Sequence, residues 1–302
     1  MVERGDPEAH RVEQLCFAGA DGPPRVVGIT GAPGAGKSTL TDRVVGHIRK
    51  EGTAVGVLAI DPSSPFSGGA ILGDRVRMQG HALDESVFIR SMANRGHLGG
   101  LALAAPSAVR VLGAVGIPLV LIETVGVGQV EVEIAGEADT TVVVVNPGWG
   151  DAVQANKAGL LEIADVFVIN KADRPGAAET RRDLGQMLDM NVSMGEWRPP
   201  IILTSASGGA IEVGRGREPV EGDGVDALWT AIEDHQAYLE RSGVLRRRRR
   251  DRLVSELRQV LVRQLEVNVS ELAGWDKITG DVVAGSLDPY TAADRLLGSL
   301  GT

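Results

Sequence analysis

Seven short apolar runs, rich in β-branched residues, recur along the first two thirds of the chain. They are RVVGIT (25–30), AVGVLAI (54–60), SVFIR (86–90), IPLVLIE (117–123), TTVVVVN (140–146), DVFVIN (165–170) and PIILTS (200–205). The runs are continuous rather than alternating, which suits strands covered on both faces. Longer helical patterns separate them. Strand–helix alternation predicts an α/β fold with a mainly parallel sheet and right-handed crossovers. In such a sheet, function sits in the loops at the carboxyl ends of the strands.

The pattern changes after the last run. Residues 206–224 are rich in Gly and charge and read as a loop. Beyond them, Leu253, Leu257, Val260, Leu261 and Leu265 fall on one helical face. Asp288 and Pro289 open a further helix as N-cap and first helical residue. Trp275 reads as a core anchor of this part. The expected organisation is a short N-terminal helical segment (1–24), an α/β domain (25–224) and a helical extension (225–302).

Composition narrows the function classes. The 302 residues carry a formal net charge of −9, which argues against a general nucleic-acid binder. Aromatics make up only 3% of the chain, so Val, Leu, Ile and Ala must build the core. Cys16 stands alone, and His10, His47, His81, His97 and His235 are scattered, without metal-ligand spacing. No apolar run has the length of a membrane span, and the first residues resemble neither a signal nor a transit peptide. The expectation is a cytoplasmic protein.

GAPGAGKST (31–39) follows the first strand and fills the pattern G-x-x-x-x-G-K-S/T with Gly31, Gly36, Lys37 and Ser38. Backbone N–H groups of Gly34, Ala35, Gly36 and Thr39, together with the helix N-terminus, can cradle phosphates. Lys37 is placed to neutralise the β and γ phosphates, and the Ser38 hydroxyl to meet Mg²⁺.

VINKAD ends the sixth run with Asn170, Lys171 and Asp173. A carboxylate at Asp173 can accept from both the ring N–H and the exocyclic amine of guanine. Adenine presents neither in that arrangement, so the wrong base leaves polar groups unpaired. Lys171 can cover the base face, and Asn170 can tie this loop to the phosphate loop. Ser205 and Ala206 end the next strand, where a backbone N–H can reach the guanine oxygen. The order phosphate loop, ETVG, NKAD, TSA favours GTP and GDP over adenine nucleotides.

LVLIETVG puts Glu123 at the end of a buried strand, as a carboxylate for Mg²⁺ or its waters, and Gly126 where its N–H can approach the γ-phosphate. Asp61 and Asp74 are candidates either for the Mg²⁺ shell or for positioning the attacking water. Val127 stands where Ras-type enzymes place a Gln, which predicts slow basal hydrolysis completed by a partner.

Together, GAPGAGKSTL, DPSSPFSGGAILGDRVRM, LGGL, ETVGVGQVE, NPGWGDAVQANKAG and VINKAD resemble the MeaB/ArgK family of GTPases, over about residues 25–300. The resemblance implies a P-loop GTPase domain with a helical extension that mediates homodimers. It implies a chaperone that couples GTP to adenosylcobalamin loading of methylmalonyl-CoA mutase and protects that enzyme. It also matches Asp61, Asp74 and Glu123 to the family's Mg²⁺ and hydrolysis carboxylates. Asp151 and Lys157 then belong to a partner-responsive switch. Trp149 and Val130 depart from the family pattern, which expects a small residue and Ser there.

Two other activities compete. A metal-inserting GTPase would need Cys or His ligands, which the chain lacks in any cluster. A kinase linked to amino-acid transport would use ATP, against which NKAD argues. The run RRRRR (246–250) reads as a solvated helix face or dimer-arm charge, or as a docking patch for an acidic partner.

Overall fold

The computed structural model describes residues 7–19, 22–62, 78–81, 83–94, 100–124, 136–148, 154–190, 196–208, 211, 222–269, 272 and 274–298. They divide into two compact units, Met1–Arg252 and Leu253–Thr302.

In the first unit the seven apolar runs form the strands β1 (Arg25–Gly31), β2 (Val55–Pro62), β3 (Val87–Asn94), β4 (Leu119–Thr124), β5 (Thr140–Val145), β6 (Val166–Ile169) and β7 (Ile201–Leu203). The described residues make one sheet in the order β3-β2-β4-β1-β5-β6-β7, and every pairing is parallel. The continuous apolar runs have a simple cause, since both faces are covered. Val142 and Val144 join one core cluster, and Val143 and Val145 join another.

Helices α2 (Lys37–Lys50) and α6 (Val225–Ser242) share the first cluster. On the other face, α3 (Gly100–Ala114) covers β1, β2 and β4. There α4 (Gln154–Ile163) and α5 (Ala177–Met190) cover β5 and β6. Phe167 is the bulkiest of the fully buried side chains in this core. Removing it to Ala would cost about 3–5 kcal/mol. The N-terminal helix α1 (Pro7–Gly19) lies on α3, where Glu13 accepts from Arg110 and Ser107.

The sequence places the start of a helical extension at residue 225, whereas the compact units divide at 252/253. The difference comes from α6, whose Leu228, Trp229 and Ile232 are buried in the α2–sheet core. The following helix, α7 (Val244–Asn268), begins in the first unit and runs into the second.

The arginine run lies at the start of α7 and is divided by function. Arg246, Arg247 and Arg250 are exposed. Arg248 makes two 2.9 Å hydrogen bonds to the carboxylate of Asp165, and Arg249 grips Asp139 at 3.1 and 2.7 Å. Arg252 adds a 3.3 Å bond to Asp139. Asp139 and Asp165 directly precede β5 and β6, where they also accept backbone N–H groups of Val26 and Thr141. His235 is fully buried between Thr140 Oγ1, at 2.9 Å, and Asp165 Oδ1, at 3.2 Å. Burial, the largest influence, pushes the Asp165 carboxyl up in pKa; bonding to His235 and Arg248 more than offsets it, and the net direction is down.

In the second unit, α8 (Trp275–Val283) and α9 (Pro289–Gly298) lie against each other. Trp275 is half-buried at the start of α8. Asp288 caps α9 by accepting from the N–H groups of Tyr290 and Thr291, both at 3.0 Å. On the α7 segment of this unit, Leu253, Val254, Leu257, Leu261 and Val262 are exposed.

Candidate nucleotide site

The carboxyl ends of β1, β4, β6 and β7 bring the expected site residues together. The turn after β1 leads through Ala32, Gly34, Ala35 and Gly36 into α2. Two glycines are required by close approach. A Cβ on Gly31 would stand 2.0 Å from the Val144 carbonyl oxygen, and one on Gly36 would stand 2.5 Å from Asn170 Nδ2. Gly36 also has φ of 87°, a left-handed conformation that side chains resist. The last turn of α2 carries His47, Arg49 and Lys50, which complement its dipole.

Lys37 is buried and donates across the turn to the carbonyls of Gly31 (2.7 Å) and Ala32 (3.1 Å). Ser38 donates to Glu123 Oε1 at 2.6 Å, and Glu123 is fully buried. Thr124, beside it, donates to Thr30 Oγ1 at 3.0 Å, which joins the ends of β4 and β1. Thr39 is exposed on the first turn of α2.

The second half of the site is built on Asn170. Its Nδ2 donates to the Ala35 carbonyl at 2.8 Å. Its Oδ1 accepts from Thr204 Oγ1 at 3.1 Å and from the Ala206 N–H at 3.2 Å. Lys171 takes a left-handed φ of 59°, and its ammonium reaches the Gly34 carbonyl at 2.6 Å. Asp173 is exposed, and Ser205 Oγ donates to its Oδ1 at 2.8 Å.

The sequence assigns Ser205 and Ala206 a backbone N–H for the base. Here the Ser205 N–H goes to the Asp223 carbonyl and the Ala206 N–H to Asn170. The hydroxyl of Ser205, holding Asp173, is a role that spacing alone did not reveal. Arg43, which donates from Nε to the Ala206 carbonyl at 3.0 Å, also escaped the sequence reading, because no motif contains it.

Of the other expected residues, two lie on described elements and three do not. Asp61 is in β2 at its carboxyl end, in register with Ala93. Lys157 is in α4. Asp74, Gly126 and Asp151 lie outside the described residues.

The cradle fits a nucleotide and Mg²⁺. A Cβ on Gly31 would conflict with the Val144 backbone and one on Gly36 with the Asn170 amide. Ser38 and Glu123 offer hard oxygen donors, the type Mg²⁺ takes alongside phosphate oxygens and water. Among the described residues no group of three or more His, Cys, Asp or Glu side chains is placed to hold a metal ion. Among the same residues no helix is long and apolar enough to cross a membrane.

Comparison with known proteins agrees with this geometry. Residues 2–273 match the family model described as methylmalonyl Co-A mutase-associated GTPase MeaB. A relative in Pyrococcus horikoshii, named as a GTPase, is 48% identical over 304 residues, covering 98% of this chain and 90% of its own. The mouse methylmalonic aciduria type A homolog, named as mitochondrial, is 31% identical over 279 residues, covering 90% of this chain and 64% of its own. A crystal structure described as a LAO/AO transport system kinase superposes with a TM-score of 0.69 at 27% identity, covering 100% of this chain and 90% of that one. With its parallel sheet, phosphate loop and NKAD strand end, the chain belongs to the MeaB family of P-loop GTPases.

Proposed function

We propose that this protein is a GTP-binding and GTP-hydrolysing chaperone that gates adenosylcobalamin loading of methylmalonyl-CoA mutase and protects that enzyme. The observation that carries the nucleotide half is Asn170, which joins the Ala35 carbonyl to the loop of Ser205 and Ala206. It ties a phosphate cradle to a guanine reader in one rigid unit. The mutase half is supported by the family match.

In this proposal Lys37 and the N–H groups of the 34–39 turn bind the phosphates, and Gly126 approaches the γ-phosphate. Asp173, oriented by Ser205, accepts from the guanine ring N–H and amine, while Lys171 covers the base face. Ser38 and Glu123 would hold Mg²⁺ or its waters, with Asp61 and Asp74 completing the shell or positioning the attacking water. Bound Mg²⁺ would neutralise charge on the phosphate oxygens. Val127, where a water-orienting Gln stands in Ras-type enzymes, makes basal turnover slow. Asp151 and Lys157 form part of the switch through which the mutase accelerates it.

The exposed stripe Leu253, Leu257 and Leu261 on α7 supports a homodimer formed through the helical extension. The proposed location is the cytoplasm. A transport kinase, the description of the structural neighbour, is disfavoured by the guanine-reading carboxylate.

The test is capture of the mutase under GDP and under a non-hydrolysable GTP analogue, with GTPase rates measured with and without it. A nucleotide-dependent complex and a faster rate are expected. No complex and no rate change in any nucleotide state would overturn the chaperone role.

A further inference from the structure

We infer that Arg43, outside every nucleotide-binding motif, is a positioning residue for recognition of the 6-oxo group of guanine. The inference rests on the guanine-nucleotide function proposed above.

The loop after β7 folds as a turn closed by the Gly208 N–H on the Ser205 carbonyl, at 2.9 Å. The peptide between Ala206 and Ser207 is therefore the central peptide of a β-turn. That peptide is the weak point of such a loop, because turns of types I and II differ mainly by its flip. The flip reverses the directions of its C=O and N–H while the turn's ends stay in place. Here the C=O is gripped. Arg43 Nε donates to the Ala206 carbonyl at 3.0 Å. The peptide is planar and trans, so fixing its C=O also fixes the Ser207 N–H in the opposite direction.

The neighbouring donors are already engaged. The Ser205 N–H bonds to Asp223 O at 2.9 Å and the Ala206 N–H to Asn170 Oδ1 at 3.2 Å. That makes the Ser207 N–H the backbone donor of this turn available for an oxo group, and Arg43 the side chain that sets its direction. Arg43 also stands six residues beyond Lys37 on α2, about 9 Å along the axis. The helix that receives the phosphates at its N-terminus thereby braces the base loop from its second turn.

The test compares wild type with Arg43→Ala and Arg43→Lys. Affinities are measured for GDP and for 2,6-diaminopurine riboside diphosphate, which has an amine in place of the 6-oxo group. Arg43→Ala is expected to weaken GDP about tenfold, the worth of one hydrogen bond to a charged group. The weaker binding of the diamino analogue should stay where it was. KM for GTP should rise more than kcat falls, and Arg43→Lys should recover most of the loss. Unchanged GDP affinity, or an equal loss for both nucleotides, would overturn the role of Arg43 while leaving the guanine site standing. A wild-type protein with no preference for GDP over ADP would overturn both.

Discussion

Gly36 and Asn170 approach so closely that a single methyl group would separate them: a Cβ on Gly36 would stand 2.5 Å from Asn170 Nδ2. The amide at that point donates to the Ala35 carbonyl at 2.8 Å. The phosphate loop and the loop after β6 are thus one object, joined across 134 residues of chain.

Gly36→Ala should therefore damage both halves of the site. It forces a side chain onto a φ of 87° and displaces Asn170. The expected result is loss of GDP binding by two orders of magnitude or more, on the order of 3 kcal/mol. Far-UV circular dichroism should be unchanged, since the residue caps only one helix. Isothermal titration at several nucleotide concentrations measures the loss.

Ser205→Ala should weaken GDP modestly, by about 1 kcal/mol, because Asp173 loses its 2.8 Å donor but keeps its charge. Asp173→Asn should do more. An amide can donate to the 2-oxo group of xanthine at the point where the proposed role has the carboxylate accept the guanine amine. Competition binding with GDP and xanthosine diphosphate should show the preference reversed.

Glu123→Gln keeps the size of the Ser38 partner and removes its charge. GTP hydrolysis should fall on the order of 100-fold, with a raised Mg²⁺ requirement. Rates measured across a Mg²⁺ titration separate this from loss of nucleotide affinity. Equal activity and an unchanged Mg²⁺ midpoint would remove Glu123 from the metal role.

The buried pairs at the amino ends of β5 and β6 predict acid sensitivity. Asp165 has its pKa held below the ordinary value of 3.8, so its ionised form is favoured by folding. Its stabilisation is full above that value and disappears as pH falls through the folded-state pKa. Thermal unfolding between pH 7 and pH 3 should show wild type losing stability at the acid end. Asp165→Asn, already less stable at neutral pH because Arg248 and His235 lose their carboxylate while Arg248 keeps only the Asp139 carbonyl, should show a flatter acid limb.

Much of the fold was legible because its signals are local. Seven continuous apolar runs became seven parallel strands, since coverage on both faces removes the need for polar alternation. The phosphate-loop glycines and the Asp288 cap were readable because their chemistry acts within a few residues. The extension was harder. The helical pattern from 225 onward is real, but no local signal separates α6, buried on the sheet, from the end of α7 in its own unit.

By itself the sequence determined the strands and the phosphate-loop turn, because each is written in neighbouring residues whose shape or hydrogen-bonding capacity leaves few alternatives. Tertiary structure decided which members of a group act. It divided five identical arginines into inward Arg248 and Arg249 and outward Arg246, Arg247 and Arg250. It turned Ser205 toward Asp173, buried His235 beside Asp165, and set Arg43 on the Ala206 carbonyl. These contacts join residues 32 to 163 positions apart, so they depend on which strand and helix become neighbours, a property that no short stretch of chain contains.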